Sequence, residues 1–149
     1  MHMKSDVVDE ITENLFHTLR LIHRKLLKAD IDDTNKEISH QHFAIMGTIV
    51  ETGKLPVSTI GNRLLIPKPQ MTLLIDKLIS LGLVERLPDT KDRRIINISL
   101  TDKGKKALRE LRRSMRNNIR KKLACLKDEE LKELSVSLRR LRYIGSKLE

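Results

Sequence analysis

Lys91, Arg93 and Arg94 fall within four residues of one another in the stretch PDTKDRR, residues 88–94. Basic side chains gathered this closely suit phosphates or the narrow minor groove of duplex DNA. Asp89 and Asp92 offset part of the charge. An acid beside arginines orients a guanidinium through a charge-assisted pair, so Asp92 is expected to serve the cluster by aiming its neighbours. A second set, Lys68, Gln70, Thr72, Leu73 and Lys77, combines residue types that read base edges. Gln70 can hydrogen-bond adenine, Lys68 and Lys77 can meet guanine edges or phosphates, and Thr72 and Leu73 can touch thymine methyl groups. An ordinary solvated helix face accounts for the same residues, and Asp76 among them favours that alternative.

Other chemistries find no support in the spacing. Gly47 to Lys54 superficially resembles a phosphate loop, but five residues separate Gly47 from Gly53 and Leu55 occupies the place of the Ser or Thr that would hold magnesium. His40 and His42 are two apart near an expected helix start and point in different directions, and His17 and His23 are no better spaced. No metal, cofactor or catalytic residue is therefore expected, and the chain reads as a non-enzyme. A single cysteine, Cys125, excludes an internal disulfide and a multi-cysteine zinc site. It follows an apolar stripe, which predicts a buried and unreactive thiol. Arg20, Arg24, His40 and His42 are the polar residues to consider for a small anionic ligand, with plain surface positions as the alternative.

These groups need elements to position them. Val8, Ile11, Leu15, Leu19, Ile22 and Leu26 advance by three or four residues and predict a long amphipathic helix ending near Asp30, followed by a loop over IDDTNKE, residues 31–37. Ser39 is the expected N-cap of a second helix that stops at Gly53. A third, short helix begins near Pro56, where a missing N–H costs nothing. The run LIPKP breaks it, and Met71, Leu74, Ile75, Leu78 and Ile79 mark a fourth helix ending before Gly82. Gly61 inside the third helix predicts a close crossing of the pair. The period then changes. LVERL and IINISL are β-prone runs, with Ile96, Ile98 and Leu100 alternating against Asn97 and Ser99, so the basic cluster sits at the tip of a hairpin. Thr101 caps a long basic helix, and Asp128 opens a last one.

Two short helices in a tight turn followed by a hairpin make a winged helix-turn-helix, whose second helix can enter a major groove. The fold class expected is mainly α with a small β-hairpin wing (α+β). Residues 39–104 form the expected DNA-binding lobe, and 6–30 with 102–149 form a helical dimerisation region. The helices at the chain ends carry more apolar stripe than one small lobe can cover, which calls for a second chain.

Composition agrees with this reading. The 149 residues suit one domain with helical extensions, with 34% charged and 39% hydrophobic residues. The net charge of +10 points to a polyanion or an acidic surface. Residues 1–53 carry six basic and nine acidic groups, whereas 105–122 carry nine basic and one acidic. That run adds phosphate attraction or is simply a soluble face. Three aromatic residues, Phe16, Phe43 and Tyr143, are too few for a base-stacking platform, so duplex DNA is the expected polyanion. No apolar run approaches the roughly 18 residues of a membrane span, and an acidic start is wrong for export, which predicts a cytoplasmic protein without a membrane partner. Met1, His2 and Met3 resemble a cloning remnant, so His2 is set aside.

GLVERLPDTKDRRIINISLTDKG, residues 82–104, resembles the wing signature of the MarR family: a glycine, an acid-arginine strand, D-x-x-D-R-R, an apolar strand and L-T-x-x-G. LPVSTIGNRLLIPKPQMTLLIDKL, residues 55–78, is similar to its helix-turn-helix, and the flanking helices fit its dimerisation region. The resemblance implies a homodimeric regulator on a pseudo-palindromic operator, usually a repressor released by a small anionic or phenolic ligand. It puts Asp92, Arg93 and Arg94 at the family's wing positions and the helix from Lys68 at its recognition helix. Three positions depart from the pattern: Pro67 stands where a Ser or Thr cap is common, Pro69 follows, and Leu73 sits where a polar or basic reader is common. A general DNA-coating protein and a winged-helix protein-interaction module are the alternatives.

Overall fold

A computed structural model describes residues 2–27 and 37–148. Helix α1, His2–Ile22, continues into a π-helical turn, His23–Leu27. Its expected end near Asp30 and the expected loop over 31–36 lie outside the described residues. Helix α2 spans His40–Thr52 and carries the capping box that Ser39 announces. Strand β1, Lys54–Pro56, leads into α3, Val57–Leu64, and after a short turn α4 runs from Lys68 to Ser80. Strands β2, Val84–Pro88, and β3, Ile96–Leu100, form the hairpin. Helix α5, Asp102–Leu123, and α6, Asp128–Gly145, complete the chain.

The helix starts follow local chemistry. Thr101 Oγ1 accepts the Gly104 N–H at 3.0 Å and caps α5. Pro67 leads α4 without a side-chain cap, and Pro69 sits inside its first turn. There the amide has no helical acceptor, so the second proline of LIPKP belongs to the helix and not to the break.

The sheet holds one strand more than the alternation predicted. Its order is β1-β3-β2, all antiparallel, with Leu55 opposite Ile98 and Arg86 opposite Ile98 from the other side. β1 has three residues, too short to show a period, and its proline sits on an edge strand, where a missing donor is tolerated. The expected alternation in β3 fails at its outer end, where Ile96 is exposed and Asn97 buried. Ile96 pairs with Pro88 at the outer end of the hairpin and stays 42% exposed. Asn97 is satisfied instead by donating its side-chain amide to Asp89 Oδ1 at 2.9 Å.

One core joins the lobe. Ile45, Met46 and Ile49 of α2 meet Ile60 of α3, Ile75 and Leu78 of α4, Ile98 of β3 and Leu108 of α5. Gly61 is the close crossing: a Cβ there would lie 3.0 Å from Met71 Cγ and 3.1 Å from the Ile66 carbonyl oxygen. Gly104 is tighter still, since a Cβ would collide with the Leu83 carbonyl. The final glycine of the L-T-x-x-G run is thus where α5 passes over the backbone that enters β2. By contrast, no described side chain of α1 or α6 is buried.

Candidate nucleic-acid interface

The hairpin tip is organised by Asp89. Its Oδ2 accepts the amides of Lys91 at 3.0 Å and Asp92 at 3.2 Å, while Oδ1 takes the Asn97 amide. Its own N–H donates to the Ile95 carbonyl at 2.9 Å, and Ile95 N–H donates to Asp92 at 3.0 Å. The hydrogen bonds from Lys91, Asn97 and Asp92 hold the Asp89 carboxyl below the usual carboxylate range. It therefore stays ionised, and the loop keeps its shape. Asp89 carries the tip's geometry, although by residue type alone it reads as a partial offset to the basic charge. The repeated acceptor role of an Asp opening a turn is the signal that could have identified it.

Asp92 aims a guanidinium, and the residue it aims is Arg94. Arg94 N–H and Nε donate to Asp92 Oδ1 at 3.0 and 3.1 Å, and Nη2 donates to Oδ2 at 3.1 Å. These bonds lower the Asp92 pKa. Arg93 and Lys91 form no ion pair among the described residues, and both are exposed. The tip thus presents one fixed guanidinium beside two cations without a partner acid.

On α4, Met71, Leu74, Ile75 and Leu78 turn inward, leaving Lys68, Gln70, Thr72, Leu73 and Lys77 exposed. Leu73 is 72% exposed. Gln70 Nε2 donates to Gln41 Oε1 at 3.0 Å, which links the helix to the start of α2. Thr72 Oγ1 donates to the Lys68 carbonyl at 3.1 Å. Lys77 lies 3.9 Å from Glu37. Asp76 has a structural role: Arg86 of β2 donates to its Oδ1 at 2.7 Å, tying the wing to this helix. The sequence pattern gives no sign of this contact, because the partners come from different elements.

The four candidate ligand residues are not gathered in one pocket. Arg20 and Arg24 line a groove of about 560 Å³ with His17, Thr18 and Leu21. His40 faces His23 with ring centroids 5.4 Å apart. His42 is 7% exposed and belongs to the α2 cap, where its Nδ1 accepts the Ser39 N–H at 3.0 Å. Cys125 is exposed, contrary to the expected burial, because it lines an open apolar groove with Ile22 of α1 and Leu134 and Leu138 of α6. Its thiol donates to the Lys122 carbonyl at 3.1 Å. Among the described residues no group of three or more His, Cys, Asp or Glu could hold a metal, and no helix is long and apolar enough to cross a membrane.

Comparison with known proteins bears on the whole arrangement. The sequence model of the MarR family matches residues 38–96, the lobe from the start of α2 to the start of β3. The HTH-type transcriptional repressor MdtR of Bacillus subtilis is 27% identical over 130 residues, covering 87% of this chain and 83% of that protein. The transcriptional regulator BldR of Sulfolobus solfataricus superposes with a TM-score of 0.69 at 26% identity, over 89% of this chain and 97% of the other. YusO of Bacillus subtilis shares the fold, with a TM-score of 0.71 at 24% identity over 91% and 96% of the two chains.

Proposed function

The chain belongs to the MarR family of DNA-binding transcriptional regulators, and from that premise we propose that it is a cytoplasmic homodimeric repressor of a pseudo-palindromic operator, released by a small anionic ligand. In this reading the exposed face of α4 lies in the major groove, with Lys68, Gln70, Thr72, Leu73 and Lys77 towards bases and phosphates. The wing tip, Lys91 to Arg94, meets the flanking backbone or minor groove. Two lobes would then address half-sites about 34 to 36 Å apart. The helices at the chain ends pair the protomers.

The observation that carries the reading is the wing tip itself. Asp89 and Asp92 spend their acceptors on the loop and on Arg94, so the acids shape the tip while Lys91 and Arg93 stay exposed with no ion pair among the described residues. The Arg86 contact with Asp76 supports a fixed angle between wing and helix, which two-point recognition of a duplex requires. Repression is supported by the name of the MdtR relative. An anionic effector is supported by the two guanidinium groups lining the groove at the end of α1.

Replacing Arg93 and Arg94 together with alanine tests the proposal. Binding to a duplex selected from a random pool is expected to fall at least about tenfold, and the slope of log affinity against log salt is expected to flatten by about two to four. Binding by fluorescence anisotropy at several salt concentrations gives both values. An unchanged affinity would remove the wing from the interface. Equal affinity of the parent protein for selected and unselected duplexes would indicate a DNA-coating protein instead.

A further inference from the structure

Leu65 ends α3 with φ 54° and ψ 38°, the left-handed region, and it is the one non-glycine residue with positive φ among the described residues. A branched aliphatic side chain is strained there, and glycine would remove the strain. The conformation is imposed by the turn: Ile66 N–H donates to the Gly61 carbonyl at 2.9 Å, closing the end of α3 just where Gly61 packs under Met71. The fold gains nothing from the side chain, which is 90% exposed, more than any other large apolar residue described. Along the chain it lies between two exposed cations, Arg63 two residues before it and Lys68 three residues after it. Lys68 opens α4, so Leu65 stands in the turn at the leading end of that helix.

We propose that Leu65 is a specificity-determining residue whose side chain packs on the 5-methyl group of a thymine in the operator. The inference rests on the reading that α4 enters the major groove. A helix that enters a groove by its N-terminal end brings the preceding turn to the groove floor or wall. The thymine methyl is the apolar feature that the major groove offers, and a leucine between two cations matches it: the cations meet phosphates while the aliphatic group meets the base. The strained backbone holds the side chain clear of its own protein and therefore available to a partner.

The test uses the full-length chain, the duplex that it selects from a random pool, and the variants Leu65→Gly and Leu65→Asn, both compatible with positive φ. Both variants are expected to melt within a few degrees of the parent or above it. Each is expected to bind the selected duplex about tenfold more weakly per half-site, with an unchanged salt slope. Replacing thymines one at a time with deoxyuridine, which lacks the methyl group, is expected to reveal one position per half-site that weakens the parent and leaves the variants unaffected. Variants that bind as tightly as the parent would overturn the assignment. So would a loss that persists undiminished at every deoxyuridine position, which would place Leu65 on a sugar. If those results came while the Arg93 and Arg94 variant still lost affinity, Leu65 alone would be misassigned. If the parent selected no duplex, the reading of α4 would fail with it.

Discussion

His42 occupies the third position of α2, and its ring completes the cap there by accepting the Ser39 N–H on Nδ1. An imidazole that accepts on Nδ1 and is neutral carries its proton on Nε2. That nitrogen is buried and finds no hydrogen-bond partner among the described residues. Burial, and then the nearby charge of Lys77, push its pKa below the ordinary histidine value of 6.5. The unfolded chain therefore binds the extra proton more readily than the folded one. The cap's contribution is complete above pH 6.5 and is lost as pH falls below it towards the depressed folded value. Denaturant unfolding at pH 7.5 and pH 5.5 is expected to show the parent weakening at the lower value. His42→Gln can keep the capping pattern without titrating, so it should lose less over the same interval. Equal losses in the two proteins would remove His42 as the cause. The depressed carboxylates Asp89 and Asp92 act in a more acidic range and do not confuse the comparison.

At the level of elements, the junction of β2 and α5 sets how the wing is carried. The Thr101 N–H donates to the Leu83 carbonyl at 3.1 Å, Thr101 Oγ1 donates to Gly82 at 2.6 Å, and Gly104 lies flat against the same stretch of backbone. Gly104→Ala puts a methyl group into the Leu83 carbonyl, which neither helix nor strand can yield without moving the hairpin. Such overpacking costs about 2 to 3 kcal/mol, or roughly 5 to 10 °C in melting temperature for a chain of this size. Calorimetry measures it, and a melting temperature within a degree of the parent would show that the junction relaxes freely. The same elements show what a sequence reveals. Helices α2 to α6 were legible because their stripes, caps and stops repeat over many residues. The wing was legible because its charge and turn residues are contiguous. β1 was hidden by its three-residue length, the burial of Asn97 by a partner eight residues away, and the Arg86 contact with Asp76 by its crossing from strand to helix. The strain at Leu65 was hidden because a leucine gives no local sign of positive φ. Periodic and local signals survive in one dimension, whereas contacts between elements do not.

For the whole molecule, the unresolved balance is apolar surface. On α1, Val8, Ile11, Leu15 and Leu19 recur every three or four residues, and all are exposed, as are Leu138 and Leu141 on α6. Single exposed leucines are ordinary, but an uninterrupted stripe along two long helices is not. Helices of this kind gain most of their stability from tertiary packing, and here the chain's own lobe does not provide it. A second copy can cover the stripe through a two-fold interface and at the same time bring two wings and two α4 helices onto one face of a duplex. The double variant Ile11→Glu with Leu15→Glu places charges in the centre of that stripe while leaving the buried core of residues 38–111 untouched. It is expected to turn a dimer into a monomer in analytical ultracentrifugation. Loss of the second lobe removes the gain from linked binding, so affinity for a two-half-site duplex should fall by about a hundredfold or more, while affinity for a single half-site changes little. A variant that stays dimeric would put the interface elsewhere. One that becomes monomeric yet keeps full affinity for the paired site would show that each lobe binds DNA independently.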